Sequence, residues 1–167
     1  MARIGIPVLR LRNLDRELEL MLMEADQRCS TAFALRLDDQ RERLVPALEA
    51  IAKSEARNVR KFADRDPSGK FQPTDQGALK FSTPEQMENL QEAQGELARS
   101  SLEIDEDILL PKLTKAELLA NGLHASGQRL ANLRPILDPA SLDDPVAGSP
   151  NPRTVVVPPP PRGTPNA

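Results

Sequence analysis

The stretch LDDQRERLVPALEAIAKSEARNVRKF, residues 37–62, decides the fold. Its apolar side chains Leu37, Leu44, Leu48, Ile51, Val59 and Phe62 are separated by three, four or sums of those steps. That period gathers them on one face of a helix. Asp66-Pro67-Ser68-Gly69 then has proline and glycine where a β-turn wants them. A second stripe, Met87, Leu90 and Leu97, follows a loop. Together they predict a helical hairpin, a shape that offers surfaces to other proteins rather than enclosing a substrate.

The main helix is expected from Thr31 to about Asp64. Pro46 removes one backbone hydrogen bond, at a cost of about 3 kcal/mol in a helix interior. Leu44, Leu48 and Ile51 keep the stripe in phase across it, so a kink rather than a break is expected. The stripe alone also suits a dimerising coiled coil. The proline, the returning stripe and the flanking strands favour pairing within the chain.

Working outward, Ile4, Ile6 and Val8 alternate with Arg3, Gly5 and Pro7, predicting a strand over 3–11 that Pro7 confines to a sheet edge. Asn13 is the expected cap of a first helix, with Asp15 and Glu17 in its first turn and a stripe of Leu14, Leu18, Met21, Leu22 and Ala25. This helix should end near Cys29-Ser30. Residues 65–82 form the tip, with Phe71 expected to face Leu79 or Phe81. Ser82 or Thr83 as cap, Pro84 and then Glu85 and Gln86 announce the returning helix, which should run to about Ser100 with Gly95 as a weak point. Leu102, Ile104, Ile108 and Leu110 alternate with acidic residues and predict a second strand over 102–110, able to pair with the first. Thr114 with Glu117 forms a capping box and Gly122 ends that short helix. Ser126 starts a last one, with Leu130, Leu133 and Leu137 as its face.

The expected class is therefore mainly α: a long kinked helix plus a returning helix, short flanking helices and a minor two-stranded β element. Residues 1–137 form the helical-hairpin domain. Nine of the 16 prolines lie between Pro139 and Pro165. Such a composition cannot build a core, so 138–167 is expected as a proline-rich tail, disordered alone and extended when bound.

Composition limits the functions. The net charge is −3 over 167 residues, which implies no strong steering of nucleic acid. Four Phe with no Tyr or Trp remove the usual stacking platforms for bases and sugars. Cys29 is the only cysteine, so no intrachain disulfide forms. No window approaches the roughly 20 apolar residues of a membrane span. MARIGIPVLRLR lacks the apolar stretch of a signal peptide. A protein made in, and soluble in, the cytoplasm of its producer is expected.

No glycine-rich phosphate loop, metal-spaced Cys/His set or nucleophile elbow is present. His124, the only histidine, would need an oriented nucleophile to act as a base, and the sole thiol lies far away in sequence. A surface histidine and a small packed thiol are the simpler assignment. Glu103, Asp105, Glu106 and Asp107 are the densest acidic cluster. A straight strand sends alternate carboxylates to opposite faces and a calcium loop's glycine is missing, so a solvated face or partner contact is expected instead. Arg57, Lys61 and Arg65 follow an i, i+4 row beside Arg60 near the end of the main helix, where cations are favoured in any case. They are also candidates for an acidic partner or phosphate. Pro158 to Pro161 with Arg162 resemble a ligand of proline-binding modules only poorly in spacing. Val155, Val156 and Val157 could add a strand to a neighbour's sheet edge. The candidate partner-binding residues are thus Ile4, Ile6 and Val8, then Arg57, Lys61 and Arg65, then Val155, Val156 and Val157. No catalytic, cofactor or metal residues are expected.

Several stretches carry a resemblance: Ala32-Phe33-Ala34-Leu35-Arg36-Leu37, Leu44-Val45-Pro46-Ala47-Leu48, Glu55-Ala56-Arg57, and the tip from Asp64 to Lys70. Leu97, Leu102-Glu103-Ile104 and Leu133-Arg134-Pro135-Ile136-Leu137 continue it. The order of these patterns over roughly residues 3–137 resembles a family of small tailed-bacteriophage proteins with a helical-hairpin domain of unknown function. The chain departs from that family in its proline-bearing tip and long tail, and the family has no functional residues to carry over. The resemblance implies a non-enzymatic virion structural protein, made in the bacterial host cytoplasm, that binds capsid, neck or tail subunits with its tail as a docking arm. Homo-oligomerisation is compatible with it; a membrane or specific nucleic acid is not expected. The alternative is an assembly chaperone absent from the mature particle. A hydrolase or nuclease using the acidic strand is a third, distinct expectation, which requires divalent-metal binding.

Overall fold

A computed structural model of the chain describes residues 2–25 and 29–143. Strand β1 (Arg3–Pro7) passes directly into helix α1 (Val8–Ala25). The expected strand to residue 11 is cut short because Pro7 has no N–H for the ladder and the helical period already begins at Val8. Val8, Leu11, Leu14, Leu18, Met21 and Ala25 are all buried along one face. Asn13 therefore lies inside α1 and is not its cap, and Glu17 is buried in mid-helix rather than standing in a first turn.

Helix α2 (Thr31–Phe62) runs for 32 residues without a break, with Pro46 inside it on the exposed side. Ser30 caps it by accepting from Phe33 N at 3.2 Å. Its first two-thirds buries Phe33, Leu37, Leu44, Ala47 and Ile51, whereas Val59 and Phe62 are only half-buried. The core joins the α1 stripe to Leu37, Leu44 and Ile51 of α2. Each fully buried leucine there stabilises by about 1.5–3 kcal/mol over its exposed state.

Helix α3 (Pro84–Arg99) returns beside α2, as the hairpin pattern predicts. Thr83 and Gln86 form the capping box and Pro84 takes the first turn. None of its residues is fully buried: Leu90 and Leu97 are half-covered and Met87 is exposed. The apolar partner of α2 is mainly α1, and α3 flanks the pair.

The tip differs in register from expectation. Phe71 lies opposite Arg65, and Leu79 lies opposite Pro73. The Asp66 carboxylate closes the turn by accepting from Ser68 N, Ser68 Oγ and Lys70 N at 2.6–2.9 Å. Gly69 then takes φ +83°, where a side chain would be strained.

Strand β2 (Ser101–Asp105) pairs antiparallel with β1 in a two-stranded sheet, with Ile4 opposite Ile104 and Ile6 opposite Leu102. It ends earlier than expected because Glu106–Leu109 forms a 3-10 turn that drives Leu109 into the core. Helices α4 (Lys115–Ala120) and α5 (Gly127–Leu133) follow, capped by Thr114 and Ser126. Leu137 sits beyond α5, after a 3-10 turn at Arg134–Ile136, and bridges to Leu113. A further 3-10 turn at Pro139–Leu142 docks on α4, where buried Ser141 accepts from Lys115 N at 3.2 Å. Packed structure thus extends past Leu137, the residue at which the sequence predicts the domain to end. No described helix is long and apolar enough to cross a membrane.

Candidate protein-docking surfaces

Ladder parity fixes which backbone groups of β1 are free. Glu106 N donates to Ala2 O at 3.0 Å and Val8 N to Ser100 O at 2.9 Å. Those two bonds bracket the strand, so in the intervening register Ile4 and Ile6 bond β2. Arg3, Gly5 and the Pro7 carbonyl point outward. Among the described residues no third strand meets them.

Beside this edge lies a groove of about 740 Å³ lined by Ile4, Ile6, Leu109, Leu130, Leu137 and Leu142, among others. Ile4 is 40% exposed in it. Arg10, Lys112 and Arg134 stand among the lining. Lys112 is held by donating to Pro135 O at 2.5 Å. Arg10 and Arg134 make no ion pair among the described residues. The three N-terminal candidates therefore separate. Ile4 reaches the surface, whereas Ile6 and Val8 are buried in the core, and Val8 belongs to α1 rather than the strand.

The second group comes together near the end of α2. Arg57, Lys61 and Arg65 line a shallow groove of about 620 Å³ with Lys53, Ala56 and Arg60. The helix ends at Phe62, so Arg65 leaves the i, i+4 row and enters through the tip. Its guanidinium stacks 4.5 Å from the Phe71 ring centre. Lys53 joins the row in its place, one turn before Arg57, a residue that the pattern from Arg57 onward left out. Glu55 on the neighbouring face is taken by Arg12. Every charged side chain lining the groove is thus a cation. Val155, Val156 and Val157 lie outside the described residues.

A buried ionic cluster was not legible in advance. Arg129 of α5 reaches α1, donating from Nε to Glu17 at 2.6 Å and from Nη2 to Glu24 at 2.6 Å. Asn132 also donates to Glu17, at 3.0 Å. The Arg129 bond holds the Glu24 carboxyl below its usual range, and the Glu24 bond raises Arg129. Every strong donor in this cluster is already matched, so it ties α1 to α5 rather than awaiting a substrate. Arg36 plays a similar part on the other side, donating to Glu117 at 2.6 Å and to Lys112 O at 2.7 Å.

The remaining residues singled out in the sequence fall apart in space or into packing roles. His124 is exposed, and its carbonyl accepts from Arg129 Nη1 at 3.2 Å. Cys29 is half-buried and donates to Asn121 O at 3.2 Å; burial, aided by Glu24, pushes its thiol up, away from nucleophilic character. Asp105 faces Arg3 at 3.6 Å, and Glu106 and Asp107 turn away in the 3-10 segment. Among the described residues no three His, Cys, Asp or Glu side chains gather as a metal-binding group.

No family model, curated protein or solved structure matches this chain. The functional reading therefore rests on the surfaces themselves.

Proposed function

We propose that this chain is a non-enzymatic structural protein of a bacteriophage virion that binds capsid, neck or tail subunits. The observation carrying this reading is the open edge of β1 beside an apolar groove. A sheet edge with free N–H and C=O groups over exposed apolar surface is a template for another chain. The cationic groove near the end of α2 offers a second contact, suited to an acidic surface. In this proposal the segment 144–167 acts as an arm, its many prolines limiting the entropy lost when it is laid along a neighbouring subunit.

Quantitative mass spectrometry of purified particles tests the assignment. A virion component is recovered at a fixed ratio to the major capsid protein. Absence from finished particles, with a soluble complex in infected cells, would instead make the chain an assembly chaperone.

A further inference from the structure

We propose that the free edge of β1 receives an extended segment of a different protein, in which apolar side chains alternate with aspartate or glutamate. This deepens the reading above, since it rests on the chain acting through contacts with other proteins. Three observations converge on one site. Arg3 and Gly5 each direct an N–H and a C=O outward, and Pro7 adds a carbonyl, enough to register a short added strand. The groove next to that edge has an apolar floor that includes Ile4, Leu130 and Leu142. Arg10, Lys112 and Arg134 line the same groove.

A strand laid on this edge sends alternate side chains to opposite faces. One set meets the apolar floor, and acidic residues in or beside it meet the three cations. Arg10 and Arg134 carry charge that nothing else described neutralises.

The same charges argue against the other occupants. Two copies meeting β1 to β1 would crowd two sets of Arg3, Arg10, Lys112 and Arg134 around one seam. A second copy continuing the sheet through its acidic β2 would join head to tail and build rings or filaments, so sedimentation showing such oligomers would overturn the proposal. The valines of this chain's own 144–167 segment are flanked by Arg153 and Arg162, which bring like charge to the cations.

The test uses the full chain labelled with 15N and two synthetic octapeptides, one alternating valine with glutamate and the other valine with lysine. The glutamate peptide should shift the Arg3, Gly5 and Leu142 amides saturably, with the lysine peptide at least ten-fold weaker. Gly5→Pro removes an outward N–H without touching the β1–β2 ladder and should weaken the glutamate peptide at least ten-fold. Arg10→Glu with Arg134→Glu, both on exposed residues, should reverse the preference between peptides. The proposal is overturned if neither peptide moves the β1 amides, if both bind equally, or if the charge-reversed chain keeps its preference. It is equally overturned if Val156→Asp shifts the β1 amides of the free chain, which would place its own valines there, or if sedimentation shows a dimer closed through β1. Recovery of the chain from particles is read separately, so either result can fail alone.

Discussion

Arg129 Nε donates to Glu17 Oε1 at 2.6 Å across 112 positions of sequence, and both side chains are less than a tenth exposed. This pair fastens α5 to α1 through the middle of the domain. Removing Arg129 leaves the buried Glu17 carboxylate without a counter-charge, holding only the neutral Asn132 donor. Arg129→Met should therefore cost about 3–5 kcal/mol, read as a fall in the urea midpoint. The double variant Arg129→Met/Glu17→Met should recover much of that loss, because no charge is left buried.

Acid should weaken the fold. Glu24 is lowered first by its bond from Arg129. Glu117 is raised by burial, but the Thr114 N–H and the Arg36 bonds outweigh that and leave it lowered. Groups with folded values below their unfolded ones contribute fully above the unfolded carboxylate value, about 4.3. That contribution is lost as pH falls through the lowered folded values. The melting temperature should be level from neutrality to about pH 5 and fall below the unfolded carboxylate value. Arg36→Met should shallow the fall; an unchanged slope would remove Glu117 from the explanation.

Burial along α2 sets a contrast between neighbours. Leu37 is fully buried, and Leu37→Ala should destabilise by about 2–5 kcal/mol. Leu35, two residues earlier, is 64% exposed, and Leu35→Ala should stay within about 0.5 kcal/mol. Chemical denaturation of the two variants separates these values cleanly.

Lys53, Arg57 and Lys61 stand one helical turn apart with like charge. Such spacing costs a helix a few tenths of a kcal/mol per pair. Arg57→Gln should be neutral or stabilising by up to about 0.5 kcal/mol, while lowering incorporation into particles. Loss of stability in that variant would mean that the cations serve the fold.

Local signals were legible. Thr83, Pro84 and Gln86 announce α3, Thr114 with Glu117 announces α4, and Ser126 announces α5, because a cap depends on residues three positions apart. The mainly helical class and a minor two-stranded β element also follow from period and alternation, whereas the antiparallel sense of the pair comes from the fold. The strand-to-helix junction was harder. Ile4, Ile6 and Val8 alternate, yet Val8 also begins the stripe of Leu11, Leu14 and Leu18, and the longer stripe wins. Long-range matters were hidden. Nothing near Glu17 says that Arg129 will cover it, and the Met87, Leu90 and Leu97 stripe does not reveal that α1 covers α2 more fully than α3 does. The docking surface shows the same limit. Ile4 could be proposed from alternation, but Leu130 and Leu142 join it only through folding.

We propose that this chain works by surface contact inside an assembled particle. Lysine cross-linking followed by mass spectrometry on purified particles tests it most directly. Links are expected from Lys112 at the apolar groove, and from Lys53 or Lys61 at the cationic one, to other particle proteins. Links confined to this chain, or a particle without it, would contradict a role in surface contact.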